Sequence, residues 1–104
     1  MAKAKIDAGI CGELATVEAD LIGDYRVALK IESSCKHIQK LAENLKEVDT
    51  LKEISARRSM PETLSKGMEF CTHAARPVPV GIIKAIEVAA GLALPKDAKI
   101  EVEA

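Results

Sequence analysis

The sequence predicts a two-layer α+β domain in which two to three helices cover one face of an antiparallel sheet. Three observations lead to this fold class. Apolar and polar residues alternate through the first third of the chain, as in half-buried strands. Apolar residues then recur at helical spacing, and alternation returns near the C-terminus. With 104 residues, the chain is expected to form a single domain over residues 1–104.

Three strands joined by short turns form the predicted meander, over residues 4–10, 14–19 and 25–32. Cys11-Gly12 and Gly23-Asp24 supply the turns, because glycine accepts the backbone conformations that tight turns require. Turns this short favour antiparallel neighbours. The third strand alternates most clearly, and its expected inward residues are Tyr25, Val27, Leu29 and Ile31.

Helices are predicted between the meander and the C-terminus. The first covers residues 34–46 behind Ser33-Ser34, whose hydroxyls suit a helix N-cap. A short helical turn is expected around Val48, Leu51 and Ile54. The second long helix begins at Pro61, since proline suits the first helical position, and runs to residue 71 or 72.

Prolines divide the last third of the chain. Arg76-Pro77-Val78-Pro79 is predicted to be non-helical, because a residue before proline is pushed toward extended conformations. The third helix is therefore expected from residue 82 until Gly91, which suits its C-terminal cap. Beyond Pro95 the inward residues of a last strand are predicted, and this strand is expected to pair back into the sheet: Ala98, Ile100 and Val102.

Charge and composition argue against several classes of partner. Fifteen basic and sixteen acidic residues leave a net charge of −1, so we expect no nucleic-acid partner that follows phosphates. Tyr25 and Phe70 are the chain's only tyrosine and phenylalanine, and there is no tryptophan to stack bases. The sequence lacks an apolar run of membrane-spanning length and a signal-peptide core, so no membrane partner is expected. Three cysteines in such a chain predict a cytoplasmic protein.

The three cysteines are predicted to gather at one end of the domain. If every element crosses the domain once, Cys11 follows the first strand and Cys35 follows the third strand at the same end of the sheet. Both of these strands are neighbours of the second strand. A first helix running back and a second helix returning would bring Cys71 and His73 to that end, with Arg76 directly after them. We expect the sulfur atoms of Cys11 and Cys35 within about 10 Å, twice the strand spacing.

These residue types suit a soft metal site. Cys11, Cys35, Cys71 and His73 offer the thiolate and imidazole ligands that zinc or an iron–sulfur cluster takes. Arg76, ahead of a helix N-terminus, could instead contact an anion. The chain has no Cys-x-x-Cys pair, and buried cysteines also serve as small apolar side chains, so the first expectation for this chain is no cofactor, with zinc or an iron–sulfur cluster as the alternative.

The sequence resembles a family of uncharacterised proteins of this length from anaerobic microbes. The resemblance rests on these motifs: Ile10-Cys11-Gly12, Ser33-x-Cys35, His73, Pro77-Val78-Pro79-x-Gly81-Ile82-x-Lys84-Ala85-Ile86-Glu87 and Gly91-Leu92-Ala93-Leu94-Pro95. It implies a set of thiols onto which Cys11 and Cys35 map, and it implies no established activity. In that family a cysteine precedes the first proline, where this chain has Arg76.

The Pro77-Val78-Pro79 segment at a helix start is also similar to the Cys-Pro-x-Pro element of the sulfur carriers in the small two-layer sulfurtransferase group. That resemblance implies a persulfide on the cysteine before the first proline. Because Arg76 occupies this position, a persulfide role there is excluded.

Three classes of function remain open from the sequence. The leading one is a non-catalytic binding module whose ligand residues are Cys11, Cys35, His73 and Arg76, for a metal, an iron–sulfur cluster or a small thiol-reactive or anionic ligand. The second is a sulfur-handling enzyme that uses Cys11 or Cys35 as nucleophile. The third is a structural or partner-binding protein with inert cysteines, as a homodimer through the exposed sheet face.

Overall fold

A computed structural model of the protein describes residues 1–9, 14–57, 59–71 and 77–104. Within these residues the chain forms an antiparallel sheet and a layer of helices, which confirms the predicted α+β two-layer fold class. In chain order the elements are β1 (Ala2–Asp7), β2 (Leu14–Leu21), β3 (Arg26–Ser33), α1 (Lys36–Asn44), β4 (Glu47–Asp49), α2 (Thr50–Glu53), α3 (Glu62–Phe70) and α4 (Val78–Ala89).

The sheet has the order β1-β2-β3-β4 with every neighbouring pair antiparallel, so the predicted meander is confirmed. Its fourth strand was predicted wrongly. Glu47–Asp49 pairs with β3, with Val48 opposite Val27, whereas residues 98–102 form no strand and are exposed. The chain reaches β4 only two residues after α1 ends, so the free edge of β3 is occupied long before the C-terminus is reached.

Alternation along the strands separates a buried face from an exposed one. Val17, Ala19 and Val27 are fully buried beneath the helices. The opposite face is polar and carries cross-strand ion pairs such as Lys3–Glu18, at 3.9 Å. Tyr25 was wrongly expected to face inward: it lies in the turn before β3 and is 48% exposed.

The helices differ from the predicted ones mainly at their ends. The short helix α2 covers Thr50–Glu53, and Pro61 stands at the N-cap of α3. The expectation of a non-helical Val78-Pro79 was wrong, because both belong to the first turn of α4. A proline there loses no helical hydrogen bond, since first-turn N–H groups have no acceptor within the helix.

Gly91 ends α4 as predicted, with a φ of +75° that favours glycine. The N–H of Leu92 donates to the Glu87 carbonyl at 2.9 Å, and the N–H of Gly91 donates to the Val88 carbonyl at 3.1 Å. These two bonds form a Schellman motif, which satisfies carbonyls that the helix end would otherwise leave unpaired.

Two glycines let α4 approach its neighbours closely. A Cβ on Gly81 would collide with the side chain of Ile6 in β1. A Cβ on Gly67 of α3 would lie 2.5 Å from Cγ of Pro79. The first turns of α4 therefore pack against the last residues of β1 and the middle of α3.

Membrane insertion through a helix has no candidate among the residues that the structure describes. None of their helices combines the length and the apolar character that a membrane span requires.

Candidate functional site

The ends of three strands meet at one end of the sheet. Asp7 lies opposite Leu14 in the β1–β2 ladder, and Ala15 lies opposite Ser33 in the β2–β3 ladder. The end of β1, the start of β2 and the end of β3 are therefore neighbours. We call this the cysteine end of the domain, defined by Asp7, Leu14, Ser33 and Cys35, whose N–H is bonded to the Ser33 hydroxyl.

Cys35 lies directly beyond β3, at the N-cap position of α1, and is 7% exposed. Its N–H donates to the Ser33 hydroxyl at 3.1 Å, and its carbonyl oxygen accepts the N–H of Gln39 at 2.9 Å. The backbone of Cys35 is thus held on both sides. Its side chain belongs to the hydrophobic core.

The Ser33 hydroxyl also connects this turn to the neighbouring strand. It donates to the carbonyl oxygen of Leu14 at 2.9 Å, and the Gln39 side-chain amide donates to the Ser33 carbonyl at 2.8 Å. Leu14 is the first described residue after positions 10–13. Consequently the start of β2 and the start of α1 are tied together by one serine.

Cys71 ends α3 and is 5% exposed, in the same hydrophobic core as Cys35. Its N–H donates to the Gly67 carbonyl at 2.8 Å. Between Cys35 and Cys71 the chain first crosses to the far end of β3. α1 leads away from Ser33, and β4 ends with Asp49 opposite Arg26, at the far end of β3.

The start of α3 is held by a buried carboxylate that the sequence did not point to. Glu53 of α2 is 2% exposed and accepts hydrogen bonds from the N–H of Glu62 at 2.8 Å and of Thr63 at 2.7 Å. It also accepts a bond from the Thr63 hydroxyl. The carboxylate thereby satisfies first-turn N–H groups of α3 and fixes where that helix begins.

No short motif marks Glu53 for this role. It precedes Glu62 by nine residues, beyond the three-residue spacing of an ordinary capping box. Only the packing of α2 against α3 brings the carboxylate to the helix start.

The amino end of α4 completes the cysteine end. Gly81 packs on Ile6, the residue before the last one of β1, and Pro79 packs on Gly67 one turn before Cys71. The first turns of α4 therefore contact both β1, shortly before positions 10–13, and α3, shortly before positions 72–76.

Three of the predicted site residues lie outside the described residues: Cys11, His73 and Arg76. The distance of about 10 Å between the sulfurs of Cys11 and Cys35 thus stays a prediction. Among the described positions, no group of three His, Cys, Asp or Glu side chains could hold a metal ion. The structure places two of the proposed ligands, Cys35 and Cys71, in one core.

Comparison with known proteins identifies a family and no activity. No curated protein and no solved structure gives a significant match. The profile of a family of unknown function, DUF6951, matches residues 2–102. The expected membership of an uncharacterised family is thereby confirmed, while its motif set and its anaerobic origin stay predictions. Since the match spans every strand and helix described above, the chain belongs to DUF6951.

Proposed function

We propose that this protein is a non-catalytic binding module that holds a soft metal ion at the cysteine end. The proposed ligands are the thiolates of Cys11, Cys35 and Cys71 and the imidazole of His73. Zinc and iron–sulfur clusters are the centres that such ligands serve. The observation that carries the proposal is the convergence of three strand ends and the start of α1, together with the burial of Cys35 and Cys71 in one hydrophobic core.

The burial of Cys35 and Cys71 suits a closed metal site, and it is equally what plain apolar packing of a cysteine gives. A thiolate in an apolar core is costly, and a coordinated metal ion offsets that cost. An apolar shell also excludes water from a metal and restrains its ligands. Cys35 and Cys71 have both the low exposure and the apolar neighbours that this arrangement needs.

The start of α1 adds electrostatic support at Cys35. Helix N-termini carry partial positive charge, which favours a thiolate. The first turn of α1 contains no acidic side chain that would oppose this effect. Cys35, at the N-cap position, lies where the field of the helix is strongest.

Arg76 determines which alternative ligand deserves a test. Arg76 precedes the first residue of α4 by two positions in the sequence, and a guanidinium favours an anion rather than a metal cation. Replacing Arg76 by cysteine introduces the residue that the resemblance implies at this position. We expect Arg76→Cys to raise the affinity for zinc by adding a thiolate. An anion site would respond in the opposite way, with weaker phosphate binding in Arg76→Cys and no dependence on metal.

The alternative is a sulfur-handling enzyme that uses Cys11 or Cys35 as nucleophile, and burial argues against Cys35 alone, since Cys11 lies outside the described residues. A nucleophilic thiol must be reached by its substrate, and Cys35 is almost fully buried. Alkylation of the metal-free protein at neutral pH tests this alternative. A nucleophilic Cys35 would react faster than an unperturbed thiol, whereas a buried ligand would react slowly.

Titration of the metal-free protein with Co²⁺ tests the binding module directly, because thiolate coordination gives cobalt a characteristic charge-transfer absorption. We expect saturable binding that Zn²⁺ displaces, and loss of the thiolate bands in Cys35→Ser. His37→Ala is the matched control for His73→Ala, since His37 is exposed on α1 and is the only other histidine. Absence of thiolate bands in the wild-type protein, or equal binding by Cys35→Ser, would contradict the proposal.

A further inference from the structure

The C-terminal segment has the pattern of a strand but no strand partner among the described residues of its own chain. Ile100 and Val102 are 81% and 88% exposed. They alternate with charged residues, and the Lys99 and Glu101 side chains form an ion pair of 2.7 Å. An alternating segment with exposed apolar side chains is a candidate for pairing with a sheet edge elsewhere.

β1 offers such an edge. Within the described sheet its one neighbouring strand is β2, so alternate backbone N–H and C=O groups of β1 point away from the sheet. Ala2 and Ile6 face the helices, whereas Lys3, Lys5 and Asp7 are exposed. A strand added here needs apolar residues in step with Ile6 and charges that match the outward ones.

The C-terminal segment meets both requirements in one antiparallel register. With Ile100 opposite Ile6, Val102 lies opposite Ala4, so the apolar residues share the helix-covered face. All three charged pairs on the other face are then of opposite sign: Lys99 with Asp7, Glu101 with Lys5 and Glu103 with Lys3.

Neighbouring registers are disfavoured by like charges. A shift of two residues keeps the apolar face but places Lys99 opposite Lys5 in one direction. In the other direction it places Glu101 opposite Asp7. Like charges directly opposite each other destabilise a strand pair, so the sequences of the two segments select one antiparallel alignment.

We propose that residues 98–103 of one copy pair with β1 of a second copy, so that two chains exchange C-terminal strands in a symmetric dimer. α4 begins beside Ile6 and carries the chain about 18 Å along its axis. To reach the Asp7 end of its own β1, the segment would have to run back over this length. In its own copy the segment is exposed, and strand addition to a second copy buries Ile100 and Val102 without that reversal.

Sedimentation of the full chain over a range of concentrations tests the exchange. We expect a reversible dimer for the wild-type protein and a monomer for Ile100→Asp. Leu94→Asp is the matched control, because Leu94 is equally exposed in the same segment but lies outside the paired register. A monomeric wild-type protein, or equal loss of the dimer in both variants, would overturn the proposal.

Charge exchange tests the register. Lys5→Glu places a like charge opposite Glu101 at two positions of the symmetric dimer. We expect it to raise the dissociation constant of the dimer about three- to ten-fold. Adding Glu101→Lys to Lys5→Glu should restore the dissociation constant of the wild-type dimer, whereas adding Glu103→Lys should not. Rescue by Glu103→Lys would indicate parallel pairing with Ile100 opposite Ala2, and would contradict the antiparallel exchange. If the wild-type protein is a monomer and Ile100→Asp lowers its stability, the C-terminal segment pairs within its own chain. That result would also contradict the exchange.

Discussion

The Ser33 hydroxyl donates a hydrogen bond to the Leu14 carbonyl at 2.9 Å, and its oxygen accepts the N–H of Cys35 at 3.1 Å. One side chain therefore sets the position of the proposed ligand Cys35 relative to the start of β2. That strand begins three residues after Cys11. Serine is suited to this place because its hydroxyl donates and accepts at once.

Replacing this serine should loosen the cysteine end. Ser33→Ala removes both bonds, and we expect unfolding free energy to fall by about 1–2 kcal/mol. Urea unfolding monitored by circular dichroism measures the change. Ser65→Ala, at an exposed position of α3, should leave the stability nearly unchanged. Equal stability of the two variants would show that the Ser33 bonds contribute little.

Loss of the buried Glu53 carboxylate should lower the unfolding free energy more than loss of the Ser33 hydroxyl. Glu53→Ala leaves the N–H groups of Glu62 and Thr63 without this acceptor, and we expect a loss of about 2–4 kcal/mol. Thermal unfolding should show a marked decrease in Tm. Glu69→Ala, on an exposed position of α3, is the control and should change Tm little. A small effect of Glu53→Ala would mean that α3 does not depend on this cap.

Close packing of α4 on β1 predicts coupling between Gly81 and Ile6. Gly81→Ala should destabilise by about 1–3 kcal/mol, because the added methyl group collides with the Ile6 side chain. Combined with Ile6→Ala, the loss should be smaller than the sum of the two single effects. The losses of unfolding free energy in Gly81→Ala and Leu41→Ala should be additive. Leu41 lies in α1, whereas the three heavy atoms nearest to the added Cβ all belong to Ile6. Additivity of both pairs would refute the contact.

A charge placed in the core should prevent folding. Ile86 is fully buried on α4, and Leu29 is buried on β3. Ile86→Asp or Leu29→Asp introduces an unpaired buried charge that costs several kcal/mol of the roughly 5–15 kcal/mol available. Lys84→Asp and Lys30→Asp, at exposed neighbouring positions, should remain folded. Cooperative unfolding of Ile86→Asp at the wild-type temperature would show that its inward orientation is wrong.

The fold class could be predicted from the sequence because burial on one face imposes a period on long elements. Val17 and Ala19 mark their strand by alternation alone. β4 could not be found in this way, since Glu47–Asp49 has only three residues and Val48 alone faces inward. The prediction for Ile100 and Val102 was wrong for the opposite reason: their alternation is typical of a strand, but the segment has no strand partner among the described residues of its chain.

The candidate site was predictable only in part. Strand parity placed Cys35 near the end of β1, and the register agrees for the described residues. The role of Glu53 could not be predicted from the sequence, because its hydrogen-bond partners lie nine and ten residues away. These bonds form only because α2 packs against the start of α3. The ligand itself has no sequence signature, since the cysteines follow no known metal spacing.

Metal analysis of the protein purified under anaerobic conditions tests the central claim most directly. We expect the wild-type chain to carry zinc or iron in a fixed ratio, and Cys35→Ser and Cys71→Ser to lose it while they remain folded. His37→Ala should retain the metal. A folded wild-type protein that contains no zinc or iron and takes up neither on addition would contradict the account.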